Sequence, residues 1–148
     1  MNDTALAIAH HLLVFGLTIM LASQLALAQP GLGAGELRRL SRIDAGYGAT
    51  AGLILIVGLV RVWFGAKGAD YYLGNAWFWA KMAAFAGVGL LSIPPTITFI
   101  RWSRALKADP AALPCSVAVG GVRRFLLAEV ALLLLVPVFA ALMARYRP

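Results

Sequence analysis

Four long stretches almost free of charge constrain this chain more than any other feature: about 4–28, 43–64, 76–100 and 125–144. Each is near the roughly 20 apolar residues needed to cross a hydrocarbon core about 30 Å thick. In lipid, the backbone polar groups of such a segment must be satisfied internally, which favours helices. The expected fold is therefore all-α: a polytopic membrane protein, one membrane domain over 1–148, built as a four-transmembrane-helix bundle. Composition agrees, because 61% hydrophobic and 13% charged residues leave too few charges for a soluble globule, where about 25% is usual. The single cysteine, Cys115, excludes an internal disulfide framework. It has no Cys or His companion nearby, so it reads as incidental. Ala26-Leu27-Ala28 has the small residues of a signal-cleavage site, but Met1-Asn2-Asp3 lacks Lys or Arg, and His10 and His11 break the apolar run. The first segment is accordingly expected to remain as a span.

A formal charge of +7 would suggest nucleic acid in a soluble protein. Here the basic residues set topology and meet anionic lipid headgroups, and no nucleic-acid partner is expected. Eight of the 13 basic residues lie in two connections: Arg38, Arg39 and Arg42 between the first two segments, and Arg101, Arg104, Lys107, Arg123 and Arg124 between the last two. Arg61, Lys67, Arg145 and Arg147 lie on the opposite side. Positive residues are retained in the cytoplasm, so both termini and the connection around Tyr71 are expected to be periplasmic, with the chain in a bacterial inner membrane. Pro94-Pro95 removes two backbone donors and is expected to kink or end the third helix near Ser92, leaving 96–100 as a separate turn. Asp109 to Gly121 reads as a loop. Gly46, Gly48, Gly52, Gly58, Gly87 and Gly89 read as helix-packing residues.

With that topology, depth follows from the rise of about 1.5 Å per residue. His10 lies roughly 9 Å into the first segment, with Arg61 near the outer end of the second and Lys81 just inside the third. Met82 and Met143 reach the same tier. Taken singly, Arg61 and Lys81 would snorkel to the headgroups and a histidine would bond a neighbouring helix. Together they mark a candidate ligand, ion or proton site facing the bundle interior. His10 and His11 point about 100° apart on a helix, so at most one faces the core directly; the sequence leaves open which. A second tier holds Gln24, Asp44 and Glu129. Asp44 is expected to cap its helix and Glu129 to pair with Arg124 or Arg101, with a proton path between the tiers as the functional reading.

An imidazole among apolar helices with cations at the same depth fits a b-type haem or another porphyrin. His10 or His11 would ligate iron, and Arg61 and Lys81 would meet the propionates. No histidine stands on another helix, so the sixth ligand would be Met82, Met143, water or a group from another subunit. The competing reading is copper handling, with His10 or His11, Met82 and Met143 as ligands. A third is an accessory subunit of a homo-oligomer or larger membrane complex. The aromatic residues Trp63, Phe64, Tyr71, Tyr72, Trp77, Phe78 and Trp79 read as an interfacial belt, whose rings could also stack on a flat ligand.

Ala9-His10-His11-Leu12-Leu13-Val14-Phe15-Gly16, Arg61-Val62-Trp63-Phe64-Gly65-Ala66-Lys67-Gly68, Phe78-Trp79-Ala80-Lys81-Met82, Leu91-Ser92-Ile93-Pro94-Pro95-Thr96 and Ala128-Glu129-Val130 resemble a family of small bacterial inner-membrane proteins with no established activity. That resemblance spans nearly the whole chain and implies architecture rather than function. More distantly, a His in the first helix, an Arg near the end of the second and a Lys just inside the third resemble the four-helix HemJ-type protoporphyrinogen oxidases. This likeness implies haem binding, with His10 or His11 as axial ligand and Arg61 and Lys81 on the propionates, and an oxidoreductase activity on a porphyrinogen. The doubled histidine and the Pro-Pro pair depart from that pattern.

Overall fold

The computed structural model describes residues 3–65 and 68–145, and no strand occurs among them. Met1, Asn2, Lys67 and Arg147, which entered the topology argument, lie outside the described residues. Five helices follow in order: α1 (Asp3–Leu27), α2 (Ala34–Phe64), α3 (Gly68–Leu73), α4 (Ala76–Ala108) and α5 (Ser116–Arg145). Four of them, all but the six-residue α3, are long and apolar enough to cross a membrane. The four-helix expectation holds; the boundaries move.

The helices are longer than the apolar runs. α2, α4 and α5 have 31, 33 and 30 residues, or about 45–50 Å each, well beyond the hydrocarbon thickness. The excess lies at the arginine-rich end, where α2 begins at 34 instead of 43, α4 continues to 108 instead of 100, and α5 begins at 116 instead of 125. These extensions are amphipathic. Leu37, Leu40, Leu106 and Val119 are buried there with Ala28 and Leu32, while Arg38, Arg39, Arg42, Arg101, Arg104 and Arg124 are exposed. A search for continuous apolar length misses such turns, which bury one face only. The N–H of Gly33 donates to Glu36 Oε2 at 2.7 Å, satisfying one of the donors that a helix start leaves open.

Pro94 and Pro95 do not end α4, and 96–100 is not a separate turn: the helix runs through both prolines. Nearby hydroxyls bond carbonyls in this stretch, with Ser92 Oγ donating to Gly89 O at 2.8 Å and Thr98 Oγ1 to Pro94 O at 2.7 Å. Neither carbonyl is one of those that the prolines leave without a donor, which are Leu90 and Leu91, four residues before each.

α1 packs on α2, α2 on α4, α4 on α5, and α5 closes back on α1, so α2 and α5 face one another diagonally across the interior. α4 and α5 approach closely because Gly87 lacks a side chain. A Cβ there would lie 2.6 Å from Leu132 Cδ2. One continuous core, with Leu17, Leu21, Leu126 and Phe99 almost wholly enclosed, runs between the helices. A smaller cluster of Val62, Tyr72 and Phe78 closes the end where both α1 begins and α5 finishes.

Candidate functional site

That end contains a cavity of about 500 Å³ lined by residues from all five helices, within the roughly 300–1,000 Å³ range of small-molecule sites. Its walls are aliphatic and aromatic. Its polar groups come from three of the spanning helices: His10 and His11 from α1, Arg61 from α2 and Lys81 from α4. Met82 from α4 and Met143 from α5 line it as well. The residues read as one tier from depth alone are thus brought to one space, because α1 and α4 begin, and α2 and α5 end, at the same face of the bundle.

The two histidines take different roles. His10 is half-buried against α2, where a Cβ on Gly58 would lie 3.5 Å from its Cε1. Its Nδ1 is enclosed and has no hydrogen-bond partner. His11 is exposed; its Nδ1–H donates to the Ala7 carbonyl at 2.6 Å, and its ring stands edge-on to His10 with centroids 6.2 Å apart. Tertiary packing therefore distinguishes two neighbours that the helical pattern left equivalent. Gly58, counted in the sequence only as a packing residue, is where the His10 ring lies against α2.

The aromatic belt divides as well. Trp63, Phe64, Trp77 and Trp79 are exposed, whereas Tyr72 and Phe78 are buried and close the cavity. Lys81 Nζ sits 5.6 Å from the Phe78 ring centroid, within the reach of a cation–π contact. α3 is held down by hydrogen bonds onto α5. Tyr71 Oη donates to Met143 O at 2.8 Å, and Asn75 Nδ2 donates to the same carbonyl at 3.3 Å. Asn75 also accepts from Trp77 N at 3.0 Å, which caps α4.

For a metal, the donors at the cavity are the imidazoles of His10 and His11, the latter with Nδ1 engaged by Ala7 O, and the thioethers of Met82 and Met143. Among the described residues no group of three or more His, Cys, Asp or Glu gathers. Cys115 is exposed and lies at the arginine-rich end, just before α5.

The second polar tier differs from its expected form. Asp44 does not cap a helix: it lies ten residues inside α2, buried, and accepts from Thr96 Oγ1 at 3.1 Å. Glu129 pairs with neither Arg124 nor Arg101, both exposed. It is buried and accepts instead from Tyr47 Oη at 3.1 Å, across the diagonal of the bundle. Tyr47 went unnoticed in the sequence, although its place three residues after Asp44 puts both on one helix face. Arg123 donates from Nη1 to Leu25 O at 2.7 Å and Ala28 O at 3.3 Å, capping the end of α1.

Residues 2–146 match a family described as a predicted membrane protein, DUF2214, and the chain belongs to that family. No curated protein and no solved structure matches it.

Proposed function

We propose that this member of the DUF2214 family binds a porphyrin, haem b, in the cavity at the terminal end of the bundle, and serves electron transfer or porphyrinogen oxidation. The observation that carries the reading is the His10 ring, which lines an aliphatic and aromatic cavity within the membrane region while its Nδ1 is enclosed without a hydrogen-bond partner.

In this reading His10 would hold the iron, and His11, exposed and bonded to Ala7, would not. Arg61 and Lys81 would meet the propionates by charge-assisted hydrogen bonds, which would offset the cost of keeping two cations in this tier. Tyr72 and Phe78 would supply apolar wall, and Met82 or Met143 could offer a thioether. Bound iron supplies one-electron redox chemistry, tuned by its ligands and surroundings. The protein supplies ligation, orientation and exclusion of water.

Copper handling is the second reading. It is favoured by one specific observation: His10, Met82 and Met143 line the same cavity, and an imidazole with thioethers suits Cu(I). The third reading, an accessory subunit of a larger membrane complex, is the one left if neither haem nor copper is taken up. The arginine-rich end is assigned to the cytoplasm of a bacterial inner membrane and both termini to the periplasm, because exposed Arg and Lys concentrate at that end.

Absorption spectra before and after dithionite test the main reading. Protein purified in mild detergent with haem supplied should show a Soret band and, on reduction, sharp α and β bands. Spectra without them would overturn haem binding, and stoichiometric copper in metal analysis of the same preparation would establish the second reading in its place.

A further inference from the structure

Polar side chains recur at every third position of α2, at Ser41, Asp44, Tyr47 and Thr50, and wind about halfway round the helix, from the side of α4 past α5 to α1. They span about 13 Å of helix. Each is bonded across to another helix. Ser41 Oγ and Ser103 Oγ lie 2.6 Å apart, Thr96 Oγ1 donates to Asp44, Tyr47 Oη donates to Glu129 Oε2, and Thr50 Oγ1 lies 3.8 Å from Met20 Sδ. A polar strip inside a membrane bundle is expensive, and ionisable groups on it mark a functional site by default. None of these residues touches the cavity used above.

Glu129 is the group this strip serves. It is 1% exposed, its bonded partner is a neutral hydroxyl, and its second oxygen, Oε1, is enclosed with nothing bonded to it. An ionised carboxylate so placed would have one hydrogen bond in place of its water and no cation beside it, a state that burial strongly disfavours. Gln24 of α1, also 1% exposed, leaves its Nε2 unbonded. It lies one turn beyond Met20, which contacts Thr50 and so sets Gln24 near the level of the strip. The titratable groups acting on Glu129 are Tyr47 and Asp44 of α2. α1 and α4 contribute the neutral Gln24 and Thr96; on α5 Arg124 is exposed and Arg123 is bonded to carbonyls of the α1 end.

We propose that Glu129 is a proton-exchanging carboxyl, supplied from the arginine-rich end of the bundle. Uptake adds one proton from water to the carboxylate at Oε1, and release returns it by the same side. Tyr47 is a positioning residue: its O–H occupies Oε2 and leaves Oε1 to take the proton. The exchange is one-sided, and Leu17, Leu21 and Ile54 are buried on the stretches of α1 and α2 that lead from this level towards His10.

Infrared difference spectra of the full chain in mild detergent, recorded across a pH series in sodium-free buffer and repeated in D₂O, test this. A carboxylic C=O band that titrates and shifts on deuteration is expected in the wild type. Glu129→Gln, which has the shape of the protonated carboxyl, should fold and lose that band. Tyr47→Phe should keep the band but move its frequency and its midpoint. A wild type without a titrating carboxyl band, or a band unchanged in Glu129→Gln, overturns the proposal. So does a signal that follows sodium at fixed pH, which would make the strip a metal-cation site. Asp44→Asn, which removes the other buried carboxyl among the described residues, should keep the band; its loss in that variant, with the chain folded, also overturns the proposal.

Discussion

At the scale of single residues, the division of labour between His10 and His11 is the sharpest feature of the molecule. They share a helix turn, yet one ring is set against Gly58 in the interior and the other bonds its own backbone at the surface. His10→Ala should therefore abolish the haem spectrum, while His11→Ala, which removes a rim residue, should leave its bands in position. Equal loss in both, or in neither, would show that the enclosed ring is not the ligand. The residue types at this site were legible in the sequence because histidine, arginine and lysine are rare and costly inside a membrane. Tyr47 and Gly58 were not, since a tyrosine and a glycine in an apolar helix look like ordinary packing until the facing helix supplies Glu129 or His10.

At the scale of the elements, the helix ends are where sequence reading and structure part. Apolar length located the spans but not the amphipathic turns that continue them, because Leu37 and Leu40 bury one face while Arg38, Arg39 and Arg42 stay in water. The Pro-Pro pair points the same way: the sequence registers two lost donors, whereas the helix continues through both prolines. Arg123 gives the clearest test at this level. It sits on α5 but closes α1 by bonding the carbonyls of Leu25 and Ala28, groups that a helix C-terminus otherwise leaves open. Arg123→Ala should lower unfolding stability by about 1–3 kcal/mol, read as a lower thermal midpoint in detergent. Arg124→Ala, at an exposed neighbour, should have little effect, and equal losses in the two would refute a capping role.

For the whole molecule, four spanning helices return the chain to the face where it starts, which places His10 beside Ala144 at one end and Cys115 at the other. The exposed Cys115 is a natural probe of the assigned orientation. A membrane-impermeant thiol reagent should label it in inside-out vesicles and not in intact spheroplasts. Labelling in spheroplasts would invert the assignment. By itself the sequence determined the fold class, the four spans and the concentration of positive charge at one end, since hydrophobic length and charge partition are properties of local composition that lipid reads directly. Only the tertiary structure decided which histidine turns inward and that Glu129 meets Tyr47 and not an arginine. Those outcomes depend on how each helix is rotated about its axis and which neighbour it meets, and they arise from side-chain packing between segments far apart in the chain.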